Sequence, residues 1–121
     1  MKDITTIRLS KKADAVATSL VETGKFENTM SAAKFALSYA IKNYYDTFDP
    51  ASYKVTDSEG FNYNVNVGSI DKDNQLSQLL RALYPGVETP YIYAKALMEY
   101  GLIKIGELID KEGMPEIYKL C

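Results

Sequence analysis

Over residues 4–10 apolar and polar positions alternate with a period of two. Thr5, Ile7 and Leu9 fall on one side of an extended chain, and Ile4, Thr6 and Arg8 on the other. This predicts a short strand. Its backbone groups need a partner, either the same strand of a second copy or another strand of this chain. The period then changes. Ala13, Val16, Ala17, Leu20 and Val21 recur at helical spacing, Ser10 stands where an N-cap hydroxyl is wanted, and Gly24 is placed to stop the helix. Asn28 or Thr29 caps a second helix with the spine Ala33, Ala36, Leu37, Ala40, Ile41 and Tyr44. Met30, Phe35 and Tyr39 add a second apolar stripe. One buried side does not need so much, so this helix is expected to be central or to lie in an oligomer interface.

Asp49-Pro50 closes that region. Residues 52–56 and 61–67, joined by the polar turn Asp57-Ser58-Glu59-Gly60, predict a hairpin, with Phe61, Tyr63, Val65 and Val67 in strict alternation. Asparagines between them are poor strand formers and leave an ordered loop as the alternative. Asp71 or Asp73 caps the next helix, whose Leu76, Leu79, Leu80 and Leu83 mark one face and which Pro85-Gly86 ends. Thr89-Pro90 starts a last helix running to about Lys111, apolar around much of its circumference, with Gly101 and Gly106 inside it. An interior glycine costs about 1 kcal/mol relative to alanine, so close approach of a neighbouring helix is the expected compensation.

The expected fold class is mainly α, in a single domain of 121 residues. Residues 1–44 follow the order of a ribbon-helix-helix unit, and residues 45–121 supply a hairpin or loop and two C-terminal helices. No stretch is apolar enough to span a membrane or serve as a leader, so the expected location is cytoplasmic.

The formal charge of −2 conceals an asymmetry. Residues 1–44 carry Lys2, Arg8, Lys11, Lys12, Lys25, Lys34 and Lys42 against Asp3, Asp14, Glu22 and Glu27, a balance of +3, which leaves −5 for the rest. A basic first third on an acidic body suits a protein that offers one surface to a polyanion; a solvated face is the plainer alternative. Catalytic chemistry is sparse. With no histidine, the chain lacks a histidine-dependent triad, a His-Cys pair and the usual zinc sites, and neither phosphate-binding glycine motif occurs. Asp71-Lys72-Asp73-Asn74-Gln75 begins like a calcium loop, but Leu76 stands where that loop needs glycine, so the run is read as helix-cap residues. Cys121 is a lone cysteine. No enzyme activity, metal or cofactor is therefore expected.

What remains is binding. In a ribbon-helix-helix protein two strands pair across a dimer and enter the major groove, while the second helix presents its N-terminus to phosphate. Thr6 and Arg8 would face the bases, Arg8 gripping a guanine bidentately. Lys11, Lys12 and Lys34, with the amides near Thr29 to Ser31, would contact phosphates. Tyr44, Tyr45, Tyr91 and Tyr93 are candidates for base stacking, although tyrosines at helical spacing more often belong to a core edge or an interface.

Several stretches together resemble the DndE family of bacterial DNA sulfur-modification (phosphorothioation) systems. The resemblance begins with Ile7-Arg8-Leu9-Ser10 entering a helix, then Gly24 and the second helix. It is sharpest where Phe61-Asn62, Gly68 and Asp71 are similar to that family's spaced F-N…G-x-x-D, followed by Leu76, Leu79 and Leu80, and it continues at Gly101-Leu102-Ile103. The chain departs from the family at Tyr63, where arginine is usual, and at Glu99-Tyr100, where a polar-basic pair is usual. The resemblance implies a non-catalytic, tetrameric accessory protein with affinity for duplex or nicked DNA. It would act beside a cysteine desulfurase, an iron-sulfur protein and an ATPase. Two other readings stand beside it: a ribbon-helix-helix repressor or antitoxin, and a protein-interaction module without DNA contact.

Overall fold

A computed structural model describes residues 2–53 and 65–120. Their order is β1 (Thr6–Ile7), α1 (Lys11–Val21), α2 (Thr29–Tyr44), β2 (Val65–Asn66), α3 (Val67–Ile70), α4 (Gln75–Leu83) and α5 (Pro90–Glu112). A 3-10 turn (Ile117–Leu120) follows. Among the described residues the fold is mainly helical with one two-stranded sheet, in one domain with one core.

The local signals act where expected. The Ser10 hydroxyl accepts from the Ala13 amide at 3.2 Å, and α1 buries Ala13, Ala17 and Leu20. The chain then turns through Gly24 at φ +81°. Of the two candidate caps for α2, Asn28 is the one used, its Oδ1 accepting from the Ser31 amide at 2.9 Å. Met30, Ala33, Ala36, Leu37 and Ala40 are buried, while Phe35, Tyr39 and Ile41 pack half-buried against the core. α2 touches both α1 and α5, so its second apolar stripe is used inside the chain.

α5 approaches α2 closely at Gly101, where a Cβ would stand 2.1 Å from the Ala36 carbonyl oxygen. At Gly106 a Cβ would meet Val16 Cγ2 of α1 at 2.7 Å. Both glycines therefore mark close approaches, as their cost in a helix required. The N-terminus of α5 is closed from far away. Thr89 makes no side-chain cap hydrogen bond; Asp3 accepts from the amides of Tyr91 and Ile92 at 2.9 and 3.0 Å.

Of the two partners open to the first strand, a strand of the same chain is the one found: β1 and β2 pair antiparallel, Thr6 opposite Asn66 and Ile7 opposite Val65. Other expectations are corrected. Ile7 and Leu9 point inward as expected, but Thr5 is exposed and Ile4 packs against the core. Val67 does not continue the second strand; it begins α3, because Asn66 Oδ1 accepts from the Gly68 amide at 2.7 Å and turns the chain. The remainder of the expected hairpin, residues 54–64, lies outside the described residues. On α4 only Leu80 is buried, whereas Leu79 is 43% exposed, because α4 rests on α5 and stands off from α2.

Candidate nucleic-acid interface

Thr6 is exposed on β1 and Arg8 follows half-buried. A cleft of about 500 Å³ runs beside them, and Lys2 and Lys95 share its walls. Arg8 also lines a second cleft, of about 160 Å³, with Asp14, Thr29, Met30 and Val65. Met30 and Val65 continue into a third, of about 340 Å³, with Asn28, Ser31 and Lys34. Lys34, Ser69 and Ile70 then open onto a fourth, of about 460 Å³, between α2 and α4.

Neighbouring clefts share lining residues: Thr6 and Arg8 line one, Arg8 and Thr29 the next, and Ser31 and Lys34 the third. Lys11 and Lys12 are exposed on the first turn of α1 but line none of the four clefts. One detail of the expectation changes at α2. The Ser31 amide is taken by the Asn28 side chain and the Ala32 amide by the Asn28 carbonyl, so Ser31 has its hydroxyl rather than its amide to offer. Lys2 enters the sequence pattern only through the charge balance and Lys95 not at all; no local spacing links one end of the chain to a turn of α5.

A second carboxylate organises the far end of this surface. Asp71 is buried, and its Oδ1 accepts from the Leu76 amide at 2.8 Å. Its Oδ2 accepts from the Ser77 amide at 3.0 Å and the Tyr91 hydroxyl at 2.7 Å. Of the two candidate caps it is Asp71 that holds the start of α4, while Asn74 at the boundary sits at φ +59° and makes no side-chain cap. Burial pushes the Asp71 carboxyl up, but the hydrogen bonds from Tyr91, Leu76 and Ser77, with Lys34 nearby, outweigh it and hold the group below the ordinary carboxylate value. A depressed folded-state pKa stabilises above the unfolded value, about pH 4, and the stabilisation disappears as pH falls through the folded value. Asp71→Ala is therefore expected to cost about 0.5–2 kcal/mol at pH 7, the scale of a lost helix cap. Urea midpoints of the two proteins should converge as pH drops below 4; a constant gap down to pH 2 would show that the carboxylate charge contributes nothing.

The tyrosines considered for base stacking are engaged within the chain. Tyr44 packs edge-on against Tyr100 at 5.3 Å, and Tyr45 and Tyr93 pack against Tyr84 at 5.5 and 5.2 Å. The Tyr45 hydroxyl donates to the Leu83 carbonyl. Burial and the Asp71 hydrogen bond raise the Tyr91 hydroxyl above its ordinary value. Among the described residues no group of three or more histidine, cysteine or acidic side chains is placed to hold a metal ion. No described helix is long and apolar enough to cross a membrane. No family model matches the chain, and neither a curated protein nor a solved structure does.

Proposed function

We propose that the chain is a non-catalytic, DNA-binding accessory protein of a bacterial DNA sulfur-modification (phosphorothioation) or related defence system, acting in the cytoplasm as a homo-oligomer, dimer or tetramer. The reading is carried by one observation: Thr6, Arg8, Thr29, Ser31 and Lys34, from β1, the residues after it and the start of α2, line three clefts that share Arg8, Met30 and Val65. The motif resemblance from Phe61 to Asp71 supports the system to which it is assigned.

The repressor reading is less well supported. It needs a ribbon shared between two copies, whereas β1 is two residues long and pairs with β2 of its own chain. The two readings differ in a measurable way. For an accessory protein that grips the backbone, Arg8→Ala and Lys34→Ala should each weaken duplexes of unrelated sequence by the same factor and lower the salt slope by about 1. A repressor would lose affinity for one sequence selectively in Arg8→Ala, at about 1–3 kcal/mol per base pair misread. Such selectivity would overturn the accessory reading.

A further inference from the structure

The arm that carries Thr6 and Arg8 is fastened to one helix at both of its ends. At Asp3, Oδ2 accepts from the Tyr91 amide at 2.9 Å and Oδ1 from the Ile92 amide at 3.0 Å, in the first turn of the 23-residue helix α5. At Ser10, the amide and the hydroxyl both donate to the Glu99 carboxylate, at 2.6 and 2.7 Å, about two turns further along the same helix. Lys95 stands on α5 between the two fastenings and lines a cleft with Thr5, Thr6 and Arg8, so the arm runs beside the helix. β1 itself is two residues long, and so short a ribbon does not hold its own conformation. The geometry of the arm is therefore set by α5. Neither carboxylate suits a phosphate contact, since like charges repel, and Glu99 is 1% exposed.

We propose that Asp3 and Glu99 are positioning residues for DNA binding: they hold the arm from Asp3 to Ser10 against α5 in the conformation that presents Thr6 and Arg8 to the duplex, without touching it themselves. The inference rests on the DNA-binding reading and adds the residues that act through Arg8. An arm already held in its bound conformation loses less freedom on binding than a loose one, so its contacts show more fully as affinity.

The test is an anisotropy titration of the whole chain against a labelled mixed-sequence duplex, at a temperature where circular dichroism shows every variant folded. Removing a negative charge by itself tightens binding to a polyanion; positioning predicts the opposite sign. Asp3→Ala is expected to weaken binding roughly fivefold, within the range of coupled residues. Asp3→Asn removes the same charge but keeps one acceptor oxygen for the α5 amides, and is expected to lose less. Asp110→Asn removes an exposed carboxylate roughly 28 Å beyond Tyr91 along α5 and is expected not to weaken binding. In an Arg8→Ala background Asp3→Ala is expected to add nothing, because it acts through Arg8. Glu99→Gln carries the test from the other fastening if Asp3→Ala misfolds, and is expected to weaken binding in the same way. Unchanged or tighter binding in these variants, an equal loss in Asp110→Asn, or full additivity with Arg8→Ala overturns the positioning role and leaves the DNA reading intact. No binding by the wild type overturns both.

Discussion

Gly101→Ala is expected to destabilise the chain by about 2–3 kcal/mol, a fall of roughly 10 °C in the unfolding midpoint. Helix propensity alone points the other way, since alanine is favoured over glycine by about 1 kcal/mol. Packing decides the sign. The new Cβ would stand 2.1 Å from the Ala36 carbonyl oxygen and 2.7 Å from its carbon, both backbone atoms of α2 that cannot rotate aside. The helices must separate, and α2 against α5 is the most extensive contact in the fold. Gly106→Ala is the internal control. Its Cβ would meet only the Val16 side chain, at 2.7 Å from Cγ2, which can shift, so a much smaller loss is expected. Equal urea midpoints for wild type and Gly101→Ala would contradict so close an approach.

Glu99→Leu is the second large loss, about 3 kcal/mol, because hydrogen bonds to a charged acceptor are worth about 1.5–3 kcal/mol each. Glu99 is 1% exposed in the middle of α5. One carboxylate oxygen accepts from the Ser10 amide at 2.6 Å and the other from the Ser10 hydroxyl at 2.7 Å. The same hydroxyl oxygen accepts from the Ala13 amide, so the carboxylate completes the cap of α1 and lies at that helix's positive end. Leucine fills the volume but leaves the buried Ser10 amide and hydroxyl without this acceptor. Glu99→Gln keeps one carbonyl oxygen and should lose less. A double-mutant cycle with Ser10→Ala reads the coupling directly; strict additivity would mean that the two side chains do not work together.

These contacts also show which parts of the fold were legible in the sequence. Signals acting within one turn were readable: the Ser10 and Asn28 caps, the stop at Gly24 and the proline at the start of α5 each act on backbone groups a few residues away. The interior glycines of α5 were readable as a demand for close packing, but not as Ala36 and Val16 in particular. Long-range partners left no local trace. Asp3 caps a helix 88 residues on, Glu99 reaches back 89 residues to Ser10, and β1 finds β2 across most of the first half of the chain. Period and composition carry no information about which distant segment arrives. Leu79 illustrates the same limit. Its spacing marks the apolar face of α4, yet only the position of α2 decides whether that face is covered. Of the candidate interface, Arg8 and Lys34 were visible as cations flanking a strand and a helix start, whereas Lys95 became relevant only once α5 lay beside β1.

The measurement that bears most directly on DNA binding is the salt dependence of wild-type affinity for a mixed-sequence duplex. The account predicts measurable binding at low salt and a linear fall of log K with log salt, at about 0.9 per phosphate contacted. A slope between about −3 and −5 would match the cations gathered along β1 and the start of α2. No binding at the lowest salt, or binding indifferent to salt, would contradict it and make the basic first third a solvated face.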